Sequence, residues 1–300
     1  MDVRAAIGDY IAGSVVRIRS QNAGNGRSPI VVELNSRKLL YLDSSMMPRR
    51  EVDFALDRLT NFPYRLALLL DWTLTSDGRR VIGYADLYNE LDIEISFHNW
   101  RNGFIEFDLE DPGSFSIYNE RLFPDDMRVA MNVGLPLIAS IGRTAYIVRL
   151  DRGMGLWMLN PHDKELQYME AFPQHLLGQD APMLPSFQTL EQFSRTMKVV
   201  DQATMPTGLW AWDNALFLLS RTNKKGQPRW YLSKIDPNID KVLWTIPLPG
   251  AAQHITVIPG PHEWAFLEKT RIAPFNETTH HIRFVKSAHM QSVSLKSLCN

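Results

Sequence analysis

Cysteine is almost missing from this chain: of its 300 residues only Cys299 carries a thiol. That excludes an intrachain disulfide and any cysteine-based metal framework. An excess of charge of one sign is missing too. Lys plus Arg number 32 against 33 Asp plus Glu, so no uniform field steers nucleic acid or an anionic membrane to the surface. The basic pairs Arg49-Arg50 and Lys224-Lys225 read as solvated loops. The apolar stretch Leu66 to Leu70 falls far short of the ~20 residues a membrane helix needs. The first twenty residues lack the basic, apolar and small-residue order of a secretory leader. These absences predict a soluble protein with no membrane insertion and no nucleic-acid partner. Its expected place is the cytoplasm, or the periplasm or exterior if a leader has been removed.

Catalytic motifs are equally sparse. A nucleophile elbow is not found, and Gly113-Ser114-Phe115-Ser116 departs from that pattern. His262-Glu263-Trp264 lacks the second histidine a zincin helix requires. His280 and His281 are adjacent, so on a strand they point to opposite faces and do not share one ion. Gly24 and Gly26 lack a third glycine and a following helix, so they make a hairpin loop and not a phosphate cradle. No cofactor and no metal are expected.

What the chain does have is short apolar runs, each closed by a turn signal. Leu209–Trp212, Ala215–Ser220, Trp230–Ile235 and Val242–Ile246 alternate with Asp213-Asn214, a polar Thr222–Pro228 and Asp236-Pro237-Asn238. That is a four-stranded antiparallel phrase. It recurs at Leu135–Phe172, in Leu66–Leu109, and in Ile255–Asn300 with Ser292–Leu298 as its last strand. An N-terminal unit runs from Gly8 to Leu42, with Pro29–Leu34 as its third strand. Two interruptions read as inter-blade insertions with short helices. In 47–65, Val52, Ala55, Leu56 and Leu59 fall at helical spacing; in 174–207, Thr189 and Gln192 form a capping box ahead of Leu190, Phe193, Met197 and Val200.

A family resemblance enters at Leu74-Thr75-Ser76-Asp77-Gly78-Arg79-Arg80-Val81-Ile82-Gly83-Tyr84, followed by Asp92-Ile93-Glu94-Ile95. This stretch resembles the TolB-type β-propeller repeat, a WD40-like blade, with Ser76 where the family commonly has proline. Leu156–Pro161 and Tyr231–Pro237 are similar to the same repeat. The resemblance implies an all-β propeller over 1–300 as a single domain. Strand counting gives five four-stranded blades, or six or seven if 111–133 holds further strands. A two-sheet sandwich is the competing architecture.

Two functions follow as expectations. Long polar loops converge on one face of such a fold, where a protein or peptide partner docks on a non-catalytic scaffold. The candidate binding residues there are Asp86, Tyr88, Asn89, Trp100, Arg152, Arg221, Lys224 and His254. The alternative is a glycan-hydrolysing enzyme with Asp9 and Asp71, on first strands, as channel carboxylates. Trp157, Trp210, Trp244 and Trp264 lie in strands and are expected to fill the wedge between blades.

Overall fold

The computed structural model describes residues 15–20, 30–34, 38–42, 47–53, 64–75, 78–89, 100–111, 115–118, 137–149, 154–159, 165–177, 203–224, 227–249, 252, 254–259, 262–272 and 277–288. All elements named among them are strands, gathered into five sheets in which each strand pairs with its neighbour in sequence. The first sheet holds β1 (Val15–Ser20), β2 (Ile30–Leu34), β3 (Lys38–Leu42) and β4 (Pro48–Asp53). The second holds β5 (Tyr64–Leu74), β6 (Arg80–Asn89), β7 (Trp100–Asp108) and β8 (Phe115–Tyr118). The third holds β9 (Leu137–Ile141), β10 (Thr144–Arg149), β11 (Gly155–Leu159) and β12 (Leu166–Met169). The fourth holds β13 (Met205–Trp212), β14 (Ala215–Lys224), β15 (Gln227–Asp236) and β16 (Lys241–Pro247). The fifth holds β17 (His254–Ile258), β18 (Glu263–Ile272) and β19 (Glu277–Lys286).

Turn chemistry sets these reversals. Asp213 and Asn214 both adopt positive φ, 49° and 56°, as a two-residue primed hairpin between Trp212 and Ala215 requires. Gly78, at φ 68°, sits in the turn between Thr75 and Arg80, where its amide donates to the Thr75 carbonyl at 2.8 Å.

The main departures from the sequence reading lie in the first two sheets. Pro48–Asp53, expected at the start of a helix, is the edge strand β4, with Val52 buried and Arg49, Arg50 and Glu51 exposed. Charge on an open edge discourages pairing with other chains, and this strand carries an ion pair from Lys38 to Glu51. Residues 64 and 65, expected to close the same insertion, already belong to β5. With β4 in place, Ile30–Leu34 becomes the second strand and not the third. Trp100–Gly103, expected as a turn, is the start of β7, and the fourth strand of the sheet is β8, inside the 111–133 stretch where further strands were an alternative. Residues 54–63, the strand expected at 92–97, the helix expected at 189–200 and the strand expected at 292–298 lie outside the described residues.

The chain folds as two compact units interleaved in sequence. One comprises Met1–Arg128, Ile138–Tyr146 and Met158–Gln167; the other comprises Val129–Leu137, Ile147–Trp157 and Tyr168–Asn300. In the first unit, Val31, Leu39 and Val52 of the first sheet pack against Trp72, Leu74, Val81, Ile105 and Phe107 of the second. In the second unit, Phe217, Leu219, Trp230 and Leu232 of the fourth sheet pack against Ile255, Val257, Trp264 and Phe266 of the fifth. Phe217 meets Trp264 at 4.6 Å and Trp244 at 5.9 Å, both edge to face, the geometry ring quadrupoles favour.

Candidate functional site

In the first unit, β5 is bulged against β6 twice, the second time between Leu69 and Asp71. A bulge re-aims the next side chain. Here the Asp71 carboxylate accepts the Ile138 amide of β9 at 3.0 Å, with only 7% of the residue exposed. Two residues on, the Thr73 and Ser140 hydroxyls lie 3.3 Å apart, and Ser140 also donates to the Leu74 carbonyl. The first strands of two successive sheets are thus tied by side chains to each other's backbone. Asp71, one of the two candidate catalytic acids, works as a buried acceptor in this tie. Asp9 lies outside the described residues.

Four of the candidate binding residues come together, on strands where loops were expected. Asp86, Tyr88 and Asn89 end β6, and Trp100 begins β7. Tyr88 pairs with Trp100 on one side and Arg65 of β5 on the other; Asp86 pairs with Asn102, and Asn89 with Tyr64. A row Arg65–Tyr88–Trp100 therefore crosses three strands at one end of the second sheet.

In the second unit the expected polar loop Arg221–Gln227 is mostly ladder. Pairing between β14 and β15 runs out to Lys224 opposite Gln227, leaving only residues 225 and 226 outside it. Arg221 is corrected most sharply: it is a strand residue, 5% exposed, with its guanidinium carbon 5.9 Å from the Trp230 ring centroid. A buried guanidinium over an indole is a packing element, and Arg221 leaves the binding set. The loop expected at Thr270–His280 is likewise ladder, continuing to Ile272 opposite Glu277. His254 opens β17 and is exposed. Arg152 lies outside the described residues.

A contact the sequence did not announce joins His175 to the fourth sheet. His175 Nε2 is 2.8 Å from the Ser220 hydroxyl, and its ring is 4.6 Å from that of Tyr231, the residue paired with Ser220. Burial lowers the pKa of His175 from its ordinary value. Earlier in the same segment, at the turn between β15 and β16, Asp240 receives the Glu170 and Ala171 amides at 3.0 and 2.9 Å. Together these contacts pin the chain leaving β12 onto the fourth sheet. The sequence signal was faint, since His175 stands alone in an irregular stretch.

The tryptophans divide. Trp264 is fully buried, and Trp210 and Trp244 pack partly buried against the core of the fourth and fifth sheets. Trp157 is partly buried as well and meets the exposed Tyr168 edge to face at 5.3 Å. Both Trp157 and Trp210 follow a glycine by two residues, in Gly155-Leu156-Trp157 and Gly208-Leu209-Trp210, and each indole covers its glycine. That repeated tripeptide was readable in the sequence as residues i and i+2 of one strand face.

Among the described residues no group of three or more His, Cys, Asp or Glu is placed to hold a metal ion, and no helix is long and apolar enough to cross a membrane. No protein-family model matches the chain, and no curated protein sequence does. Solved structures do. The β-propeller domain of the Trilobed protease from Pyrococcus furiosus is similar at 12% identity over 74% of this chain and 57% of that one, with a TM-score of 0.39. The Pyrococcus horikoshii acylaminoacyl peptidase is similar at 11% identity over 77% of this chain and 33% of that one, TM-score 0.40. The phage phi92 endosialidase is similar at 8% identity over 96% of this chain and 56% of that one, TM-score 0.49. The chain thus spans between a third and three fifths of these solved chains. These likenesses concern fold alone.

Proposed function

We propose that this chain is a non-catalytic β-propeller whose five sheets are five blades, and that it binds a protein or peptide partner at the end of its second sheet. The observation that carries the reading is the Arg65–Tyr88–Trp100 row, with Asp86 and Asn102 as the next pair on the same face. Aromatic residues and arginine are what concentrate at the centre of protein interfaces. The five consecutive meanders support the blade reading, because each blade of a propeller is a sheet of strands adjacent in sequence. Against the glycan-hydrolase alternative stands the buried hydrogen bond of Asp71 to the Ile138 amide, which suits a structural acceptor better than an acid facing substrate.

The test replaces Tyr88 and Trp100 together by alanine and compares cross-linked partners recovered from the native source. The partner is lost from this double variant and retained by Glu51→Ala, a control on the exposed edge of the first sheet. Equal recovery by both variants overturns the assignment. So does hydrolysis of a glycan panel that Asp71→Asn abolishes while the protein stays folded.

A further inference from the structure

The fifth sheet has two unlike faces. Ile255, Val257, Trp264 and Phe266 point into the core of the second unit. Residues one step along each strand point the other way, and there Phe284 is 63%, Ile282 60% and Ile258 53% exposed. The register lines this outer face into rows. Ile258, Ala265 and Phe284 form one; Thr256, Leu267 and Ile282 form the next. Four large apolar side chains sharing one solvent face of a three-stranded sheet make a contiguous patch of the kind that marks an interaction surface.

The geometry points to a second copy of this chain as the occupant, packed sheet on sheet across a twofold axis that reverses the strands. The argument is self-complementarity. Turning one copy about an axis level with Phe266 sets the first row of one over the second row of the other. Leu267 then descends onto Ala265 of the second copy, in the depression between its Ile258 and Phe284, while Phe284 meets Ile282. Large over small is how facing sheets interdigitate at a separation of about 10 Å. Charge agrees with shape. Glu263 and Lys269 both lie on this face of β18, exposed, three residues to either side of Phe266. The same rotation brings each Glu263 over the Lys269 of the other copy, giving two pairs at the rim, where charge sets register and specificity.

Sedimentation of the full chain between about 1 and 100 μM, the range that brackets a moderate self-association, tests this. The wild type sediments as a dimer. Leu267→Glu sediments as a monomer with unchanged circular dichroism, because the residue lies outside the core, and its thermal midpoint no longer rises with protein concentration as that of the dimer does. Glu263→Lys and Lys269→Glu each raise the dissociation constant roughly tenfold or more, and the double swap Glu263→Lys with Lys269→Glu restores it, since the pairs re-form reversed. A wild-type monomer across the whole range overturns the proposal, and so does a dimer indifferent to these substitutions.

Discussion

The imidazole of His175 and the hydroxyl of Ser220 share a hydrogen bond of 2.8 Å across 45 residues of sequence. Because burial lowers the folded pKa of His175, the unfolded chain binds this proton more readily than the folded one. The contribution to stability is therefore complete above the ordinary histidine value of ~6.5. It is lost as pH falls from there through the depressed folded value. Urea unfolding at a series of pH values should show that loss, and His175→Gln should flatten this segment of the profile. Ser220→Ala should cost about 1 kcal/mol near neutral pH, where the bond is intact.

The two glycines beneath indoles should respond differently to a methyl group. A Cβ at Gly208 falls 2.2 Å from the Trp210 ring, which is itself packed against the core of the fourth and fifth sheets. Gly208→Ala should destabilise by ~1–3 kcal/mol, the usual cost of overpacking. At Gly155 the closest approach is 2.7 Å, to the partly buried Trp157. That overlap is the smaller of the two, so Gly155→Ala should cost less. Chemical denaturation of the two variants, followed by fluorescence, separates them.

Trp230 and Trp264 offer a paired comparison, since both are buried in one core. Trp230 Nε1 donates to the Ala252 carbonyl at 2.7 Å, whereas Trp264 Nε1 has no acceptor among the described residues. Replacing either by phenylalanine removes similar volume, but only Trp230→Phe also deletes a hydrogen bond and strands a carbonyl. It should be the more damaging of the two by ~1–2 kcal/mol in calorimetry or denaturant melts.

Asp71→Ala should cost ~1–3 kcal/mol, because it leaves the buried Ile138 amide without that acceptor. Asp71→Asn keeps an oxygen in place and should recover most of the loss. Thermal denaturation with an amide-exchange measurement at Ile138 reports both effects. Amide protection unchanged in Asp71→Ala would count against the tie between the first strands of the second and third sheets.

The third and fourth sheets were legible because their turns carry chemistry of their own: Asp213-Asn214 tolerate positive φ, as Gly142 does at 64°. The ends of the long hairpins were not legible. Thr222–Lys224 are polar and Asp86–Asn89 largely so, which reads as loop, yet the ladder is built from backbone groups and runs on through them. Strand β4 was hidden for a related reason. Its charged residues lie on an exposed edge, so only Val52 signals burial, and one apolar position also fits a helical spacing with Ala55, Leu56 and Leu59. Asp71 is legible as an acid on the first strand of its sheet, and it lies on β5. Its role depends on a bulge, which leaves no mark in composition.

Every strand pairing in the five sheets joins neighbours along the chain, so the loops that must close during folding are short. Contacts of low sequence separation form early and quickly. On the ribosome, the four strands described for the first sheet can pair once Asp53 has emerged, without waiting for the C-terminal third of the chain. Each new strand thus finds its neighbour in turn, which shortens the time it spends open to mispairing.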